Sequence, residues 1–245
     1  MDNINKTDWD KCFESFQQSR EMEIYRNIEA LQLSFHIFSD NFQELKQGLK
    51  HLQDPIFCLT KYNHDQKKNI NDLLDVSIRL FHNFLASAFT LIEHTRVIIN
   101  RLYANHSFKD NYQDKLKENI ISSPIHGFVK GLRIYTQHYV LPNLSLETSF
   151  AKDGLCHKVK MDIEDFKKWE KYKLLKPYVE THKINVNVEN LELFGERYKS
   201  FYIESIADEY YFLIQEFYDW LIKQQKSIHQ ADLMKLMQME KELQI

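Results

Sequence analysis

The amino-acid sequence predicts the all-α fold class, a mainly helical bundle of long antiparallel helices with a small β-hairpin insertion. Only 5 glycines and 4 prolines occur in 245 residues, and this scarcity favours long helices over turn-rich β structure. Apolar side chains recur at spacings of three and four along two long stretches, which is the period of an amphipathic helix. One pair of runs alternates instead, around an Asp-Gly turn, as the two strands of a hairpin do.

The predicted elements group into three regions. Residues 1–66 form an N-terminal helical region, 67–226 a helical core that carries the hairpin at 144–163, and 227–245 a tail helix. The first twenty residues are polar with scattered aromatic side chains, which suits a docking arm or a frayed helix. The tail is rich in methionine, a flexible side chain typical of adaptable docking surfaces. Since no repeat or low-complexity linker separates the regions, one domain with a hairpin insertion is the simplest interpretation.

Two long helices are predicted in the first half of the chain. The first covers about 21–52 and ends near Gly48 or at the Asp54-Pro55 step, because the residue before a proline disfavours the helical conformation. The second covers about 68–105. Its apolar surface is so wide that it requires burial on more than one side.

A polar ladder runs along the second long helix. Its four side chains follow one another at spacings of four, three and four between apolar residues: Asn83, Ser87, Thr90 and His94. One interpretation is helix packing through small polar groups, with His94 bonded to a backbone carbonyl. The other is that the ladder faces a functional site on a later helix. Both interpretations stay open at this level.

Shorter helices follow. One is predicted over 111–121, and the next begins after Ser123, a suitable N-cap that is followed by Pro124 in the first helical position. This second helix runs to about Leu141, because Pro142 cannot donate the next backbone hydrogen bond.

The hairpin comes next, with alternating runs at 144–150 and 159–163. A helix is predicted over 163–172, and an alternating run at 184–188 is too short to assign. A final long helix opens at Asn187 or Asn190 and reaches about Gln225. Its many aromatic side chains either fill a core or interface, or stack on nucleic-acid bases.

Charge and composition exclude several function classes. The net charge of -3 gives no overall basic surface, which argues against tight sequence-independent binding of duplex DNA but leaves room for a local phosphate site. The three cysteines, Cys12, Cys58 and Cys156, are far apart without a CxxC pair, so neither a disulfide framework nor a zinc site is expected.

Other features of the sequence argue against a membrane span, a metal site and a cofactor site. The polar N-terminus has no apolar signal core and charges interrupt the longest apolar segment, so no membrane contact is expected and a cytoplasmic location is the default. The sequence has no Gly-rich phosphate loop, nucleophile elbow or metal-ligand spacing. Neither a metal nor a cofactor is therefore expected.

The strongest candidates for chemistry are Arg133 and His138. Arginine carries a permanent charge on a planar fork that fits phosphate oxygens, and histidine can give or take a proton near neutral pH. Five residues of helix turn through about 500°, so the two side chains leave one regular helix about 140° apart. They meet at one phosphate only if the helix end is irregular or a second copy faces it across a two-fold axis. The pair therefore predicts a homodimer.

The run Phe128–Tyr139, FVKGLRIYTQHY, together with the long helix before it, resembles the HEPN superfamily. That superfamily is marked by an R-x4-6-H motif on a helix of an all-α bundle, and the resemblance covers about 68–225. It implies a metal-independent endoribonuclease or RNA-binding protein of a toxin-antitoxin or phage-defence system, with an antitoxin or defence-system partner protein. In this resemblance Arg133 orients the phosphate and stabilises its developing charge, and His138 is the acid or base.

Further positions bear on the resemblance. The candidates for a supporting role are Asn83, Ser87, Thr90, His94, Gln137 and Tyr139. Ile134 departs from the family pattern, which often has a polar residue directly after the arginine, and an isoleucine cannot form a hydrogen bond there. Val140 stands where one subfamily has a tyrosine, so regulation by tyrosine modification is not expected.

The alternative hypothesis is a non-catalytic helical dimerisation or protein-interaction module. In it, Arg133 and His138 hold a dimer or a partner, and Ile134 marks a lost catalytic site. The sequence therefore leaves both hypotheses open, one with enzymatic activity and one without it.

Overall fold

A computed structural model describes residues 6–54, 56, 67–151, 154–185 and 200–243. The protein is mainly α-helical and carries one small antiparallel sheet, which confirms the predicted fold class. The helices are α1 Lys6–Gln17, α2 Arg20–Gln53, α3 Lys67–Leu102, α4 Phe108–Leu116, α5 Pro124–His138, α6 Ile163–Lys167, α7 Lys176–Asn185, α8 Ile203–Ile228 and α9 Gln230–Leu243. A π-helical turn, Lys117–Ile121, continues α4, and a 3-10 turn, Tyr172–Leu174, precedes α7.

The two long predicted helices pair antiparallel. Contacts between α2 and α3 run from Asn27 beside Arg101 at one end to Gly48 beside Leu80 at the other, so the chain directions oppose. Gly48 does not end α2. A Cβ atom at this position would lie 2.5 Å from Leu80 Cδ1, so glycine permits the close approach of α3, and α2 ends at Gln53, before Pro55.

The long helix α8 packs against this pair and contributes aromatic rings to the core. The ring of Tyr211 stacks on that of Phe42 with centroids 4.0 Å apart, and Phe38 stacks on Phe84 at 5.3 Å. Most aromatic side chains of α8 are buried, whereas Phe212 is exposed. Phe194 and Tyr198 lie outside the described residues. Residues on both sides of 57–66 share this one core.

The two ends of the chain meet in a smaller cluster. Phe16 of α1, Met22 of α2 and Leu236 of α9 are buried together, and Lys235 Nζ lies 2.5 Å from a carboxylate oxygen of Glu21. The first and last helices therefore pack against the start of α2.

The predicted hairpin is confirmed and lies in a three-stranded sheet. β1 Leu144–Ala151 pairs antiparallel with β2 Gly154–Asp162, with Leu144 opposite Met161. The hairpin is anchored to the helices because Val159 and Met161 are buried in the main core. The third strand, β3 Ser200–Tyr202, pairs with the other edge of β2.

The prediction that 200–202 belong to the final helix was wrong. Phe201 is buried, 5.5 Å from the ring of Phe128, and Tyr202 donates a hydrogen bond to Glu147 of β1 at 3.0 Å. These contacts and the pairing with β2 hold the segment extended, and α8 begins directly afterwards at Ile203. The predicted helix starts at Asn187 and Asn190 lie outside the described residues.

Smaller differences concern helix ends. α6 ends at Lys167 rather than near 172. α7 was not predicted, and it begins at Lys176 with Pro177 in its first turn, where the missing N–H of proline costs nothing. Within the described ranges, no helix combines the length and the apolarity needed to cross a membrane.

Candidate active site

The helix α5 carries both candidate catalytic residues. It starts after Ser123 with Pro124 in its first turn, as predicted, although the Ser123 side chain makes no capping hydrogen bond. The backbone leaves the helical conformation at Tyr139 (φ -126°, ψ -76°). The N–H groups of Tyr139 and Val140 both reach the carbonyl of Tyr135, at 2.9 and 3.2 Å.

The helix therefore ends at His138, three residues before the predicted end at Leu141. Proline restricts the residue before it to extended conformations, so Pro142 excludes helix at Leu141 itself. The backbone remains α-helical from Arg133 through His138, and the two side chains leave it about 140° apart. An irregular backbone between them does not bring them together.

Arg133 points toward α3. Its guanidinium carbon lies 4.8 Å from the centroid of the Phe89 ring, a cation–π contact. Its Nε atom is buried and has no hydrogen-bond partner. Within the described chain, no carboxylate forms an ion pair with this guanidinium. Arg133 thus combines an unpaired charge with a fixed position on an aromatic surface.

His138 is exposed at the C-terminal end of α5. Its side chain makes no hydrogen bond or ion pair to any residue that the structure describes. His138 is therefore accessible to a ligand from solvent.

An open cleft lies beside the end of α5. Its volume is about 420 Å³, and its lining comprises Asp75, Ile78, Arg79 and His82 of α3 with Leu141, which follows α5. The four α3 residues recur at i, i+3, i+4 and i+7, the spacing of one helical face.

The sequence interpretation did not include Arg79 and His82 among the functional candidates. The charged stripe was visible in the sequence. Its position opposite Leu141 depends on how the segment after α5 packs across α3, which the sequence pattern does not contain.

The polar ladder of α3 uses most of its polar atoms for other contacts. Ser87 donates to the Phe84 carbonyl at 2.9 Å and Thr90 to the Ala86 carbonyl at 3.0 Å. His94 Nδ1 lies 2.7 Å from Ser34 Oγ, so its partner is a side chain of α2 and not a backbone carbonyl. Asn83 is half-buried.

Three further residues of this region differ in exposure. Gln137 and Tyr139 are both exposed, and the Tyr139 ring lies 5.1 Å from that of Tyr135. Ile134 packs against the main core, so the position next to Arg133 contributes an apolar side chain to packing and no polar atom to a site.

A half-buried histidine, His126, also lies beside the Phe89 ring. The rings of His126 and Phe89 have centroids 6.2 Å apart, and His126 Nδ1 lies 3.2 Å from the Tyr210 hydroxyl. Burial, together with the nearby charge of Lys130, lowers the pKa of His126 to about 4. His126 is therefore neutral at physiological pH, and it adds no second positive charge beside Arg133.

Among the residues that the structure describes, no group of three or more His, Cys, Asp or Glu side chains is placed to hold a metal ion. Comparisons with protein-family models, with curated proteins and with solved structures found no match.

Proposed function

We propose that this protein is a metal-independent endoribonuclease of HEPN type, in which Arg133 binds the scissile phosphate and His138 transfers the proton. The observation that carries the proposal is the unpaired guanidinium of Arg133 on the Phe89 ring, on the same helix as an exposed histidine. Burying part of a charged group without an acceptor is costly. A phosphate oxygen would supply the missing acceptor.

The proposed reaction uses the RNA itself as the nucleophile. The ribose 2′-oxygen attacks the adjacent phosphorus and loses its proton to a base, while the bond from phosphorus to the 5′-oxygen breaks and that oxygen gains a proton. The products are a 2′,3′-cyclic phosphate and a 5′-hydroxyl. His138 serves as the base or the acid of this exchange, and Arg133 stabilises the charge that develops on the phosphate oxygens.

The dimer belongs to the same proposal. Since α5 is regular from Arg133 through His138, one copy does not aim both side chains at one phosphate. A two-fold axis beside α5 would pair Arg133 of one copy with His138 of the other and would produce two equivalent sites. The proposed setting, a cytoplasmic toxin or defence system with a protein partner, rests on the HEPN resemblance alone.

A non-catalytic interaction module is the second candidate. Ile134 favours it, because its packing in the core leaves the position after Arg133 without a polar group. The apolar side chains directly after α5 also favour it. Tyr139, Val140 and Leu141 are exposed by 58%, 50% and 49%, which suits a surface that a protein partner covers.

The two candidates differ in their action on RNA. The purified protein is incubated in EDTA with labelled RNA oligonucleotides of mixed sequence and with DNA oligonucleotides of the same sequence. The nuclease proposal predicts RNA fragments that end in a 2′,3′-cyclic phosphate and intact DNA, because DNA lacks the attacking 2′-hydroxyl. RNA that stays intact over long incubation would favour the interaction module.

A further inference from the structure

We infer that Arg79 and His82 of α3 form a second phosphate subsite, which holds a single-stranded RNA beyond the scissile phosphate. This inference rests on the proposed function and adds a second contact through which the same site binds a longer RNA. It starts from the cleft beside the end of α5, where Arg79 and His82 lie on one wall and Leu141 on the other.

Both side chains are available for a ligand. Arg79 is exposed and His82 is half-buried. Neither forms a hydrogen bond or an ion pair to any other residue in the described ranges. By contrast, Lys46 lies 2.9 Å from Asp208 and contacts Glu204, and Arg96 lies 2.7 Å from Glu93 on the same helix as Arg79. Arg79 and His82 thus offer the cleft side-chain N–H donors that form no ion pair with an acidic side chain, as donors on a phosphate-binding surface do.

The cleft lies at a short distance from the candidate catalytic pair. Leu141 follows His138 by three residues, and an extended chain of this length spans about 10 Å. His82 precedes Phe89, the residue under Arg133, by two helical turns, which again is about 10 Å. A distance of about 10 Å is larger than the hydrogen-bond distance of about 2.7–3.2 Å at which one phosphate oxygen accepts from a donor. Arg79 and His82 therefore contact a different phosphate of the strand than Arg133 does.

The same cleft contains an acidic side chain. Asp75 lines it four residues before Arg79, without forming an ion pair to Arg79. A phosphate in the cleft is repelled by this carboxylate, because like charges at close range disfavour binding. Asp75 thus provides a test of opposite sign: removing its charge strengthens the binding of RNA, whereas removing the charge of Arg79 weakens it.

The experiment measures fluorescence anisotropy of a labelled oligouridine whose riboses are all 2′-O-methylated, so that it binds without being cleaved. The variants are Arg79→Ala, His82→Ala and Asp75→Asn. The matched control is Arg96→Ala, an exposed arginine on the same helix that is already paired with Glu93. Near-UV circular dichroism and thermal melting verify that every variant keeps the wild-type fold.

We expect Arg79→Ala to weaken binding about tenfold, since an arginine–phosphate contact is a charge-assisted hydrogen bond. The slope of log affinity against log salt falls by about 0.7 for the lost phosphate contact to a single strand. His82→Ala weakens binding in the same direction, Asp75→Asn tightens it, and Arg96→Ala leaves it unchanged.

Three results would overturn the inference: wild-type affinity in Arg79→Ala and His82→Ala, equal losses in Arg96→Ala, or wild-type protein that does not bind the oligonucleotide. They are distinct from a failure of the proposed function. Binding that depends on Arg79, in a protein that never cleaves RNA, would support the subsite and refute the nuclease. Cleavage that depends on Arg133 but not on Arg79 would refute only the subsite.

Discussion

The guanidinium of Arg133 lies 4.8 Å from the centre of the Phe89 ring, while its buried Nε atom has no hydrogen-bond acceptor in the described chain. An aromatic ring thus takes the place of the carboxylate that usually accompanies a half-buried arginine. The ring attracts the cation without occupying its N–H groups. This relationship fixes the direction of Arg133 and leaves its hydrogen-bond donors for an anion.

Phe89→Leu tests this positioning. Leucine keeps most of the apolar contact but removes the aromatic face, whose attraction for a cation is about 0.5–2 kcal/mol. We expect the single-turnover rate of RNA cleavage to fall about three- to twentyfold, with the free energy of unfolding lowered by about 1.5 kcal/mol or less. Phe81→Leu is the control, because Phe81 is buried on the same helix among aromatic rings. Equal rates in both variants and the wild type would show that the ring does not position Arg133.

Two glycines of α5 give opposite predictions for stability. A Cβ atom at Gly131 would lie 2.5 Å from Leu175 Cδ2 and 3.3 Å from Leu174 Cβ, whereas one at Gly127 would meet only the Leu174 carbonyl at 3.8 Å. Alanine in a helix gains up to about 1 kcal/mol over glycine, but overpacking costs about 1–3 kcal/mol.

We therefore expect Gly131→Ala to lower the free energy of unfolding by about 1–2 kcal/mol and Gly127→Ala to raise it slightly. Urea denaturation of both variants measures the difference. The same sign of change in both would mean that Leu174 and Leu175, which precede α7, do not approach α5 as closely as described.

His126 predicts a loss of stability in mild acid. Burial lowers its pKa from 6.5 to about 4, so between these values the unfolded chain binds a proton that the folded protein does not. The free energy of unfolding therefore falls as the pH decreases from 6.5 to 4, with a contribution from His126 of at most about 1.4 kcal/mol per pH unit. In His126→Gln this contribution is absent, and denaturation curves at pH 7, 6 and 5 measure it. Parallel pH dependence in variant and wild type would contradict the lowered pKa.

The proposed two-fold site predicts the mass of the protein in solution. Light scattering should give about twice 29.6 kDa, and Arg133→Ala should leave this mass unchanged if the arginine serves the reaction rather than the interface. A monomer at high concentration would remove the geometric basis for joining Arg133 and His138 in one site, because α5 is regular between them.

Much of the fold follows from local patterns in the sequence. The long stretches of three-and-four spacing predicted α2 and α3 to within three residues at each end, because many positions contribute to the same period. The Asp-Gly turn between alternating runs predicted the hairpin, because the turn and both strands are adjacent in the sequence. β3 was missed since three residues are too few to show alternation, and its partner β2 lies about forty residues earlier.

Local sequence patterns predicted only part of the candidate site. Arg133 and His138 were selected by their chemistry and spacing. The contact of Arg133 with Phe89 joins two helices, and the sequence pattern of neither helix indicates it. The end of α5 was placed too late, because Tyr139 leaves the helix before Pro142 requires it. Arg79 and His82 line a cleft only because Leu141 packs across α3, and the sequence pattern does not show this packing.

The most direct test of the central claim is RNA cleavage in EDTA by the wild type, Arg133→Ala and His138→Ala, with Arg96→Ala as a control of equal charge loss. Far-UV circular dichroism and light scattering first establish that all four proteins share one fold and one mass. The account predicts cleavage by the wild type and by Arg96→Ala, and a loss of about a hundredfold or more in the other two. Cleavage at the wild-type rate in folded Arg133→Ala and His138→Ala would contradict it.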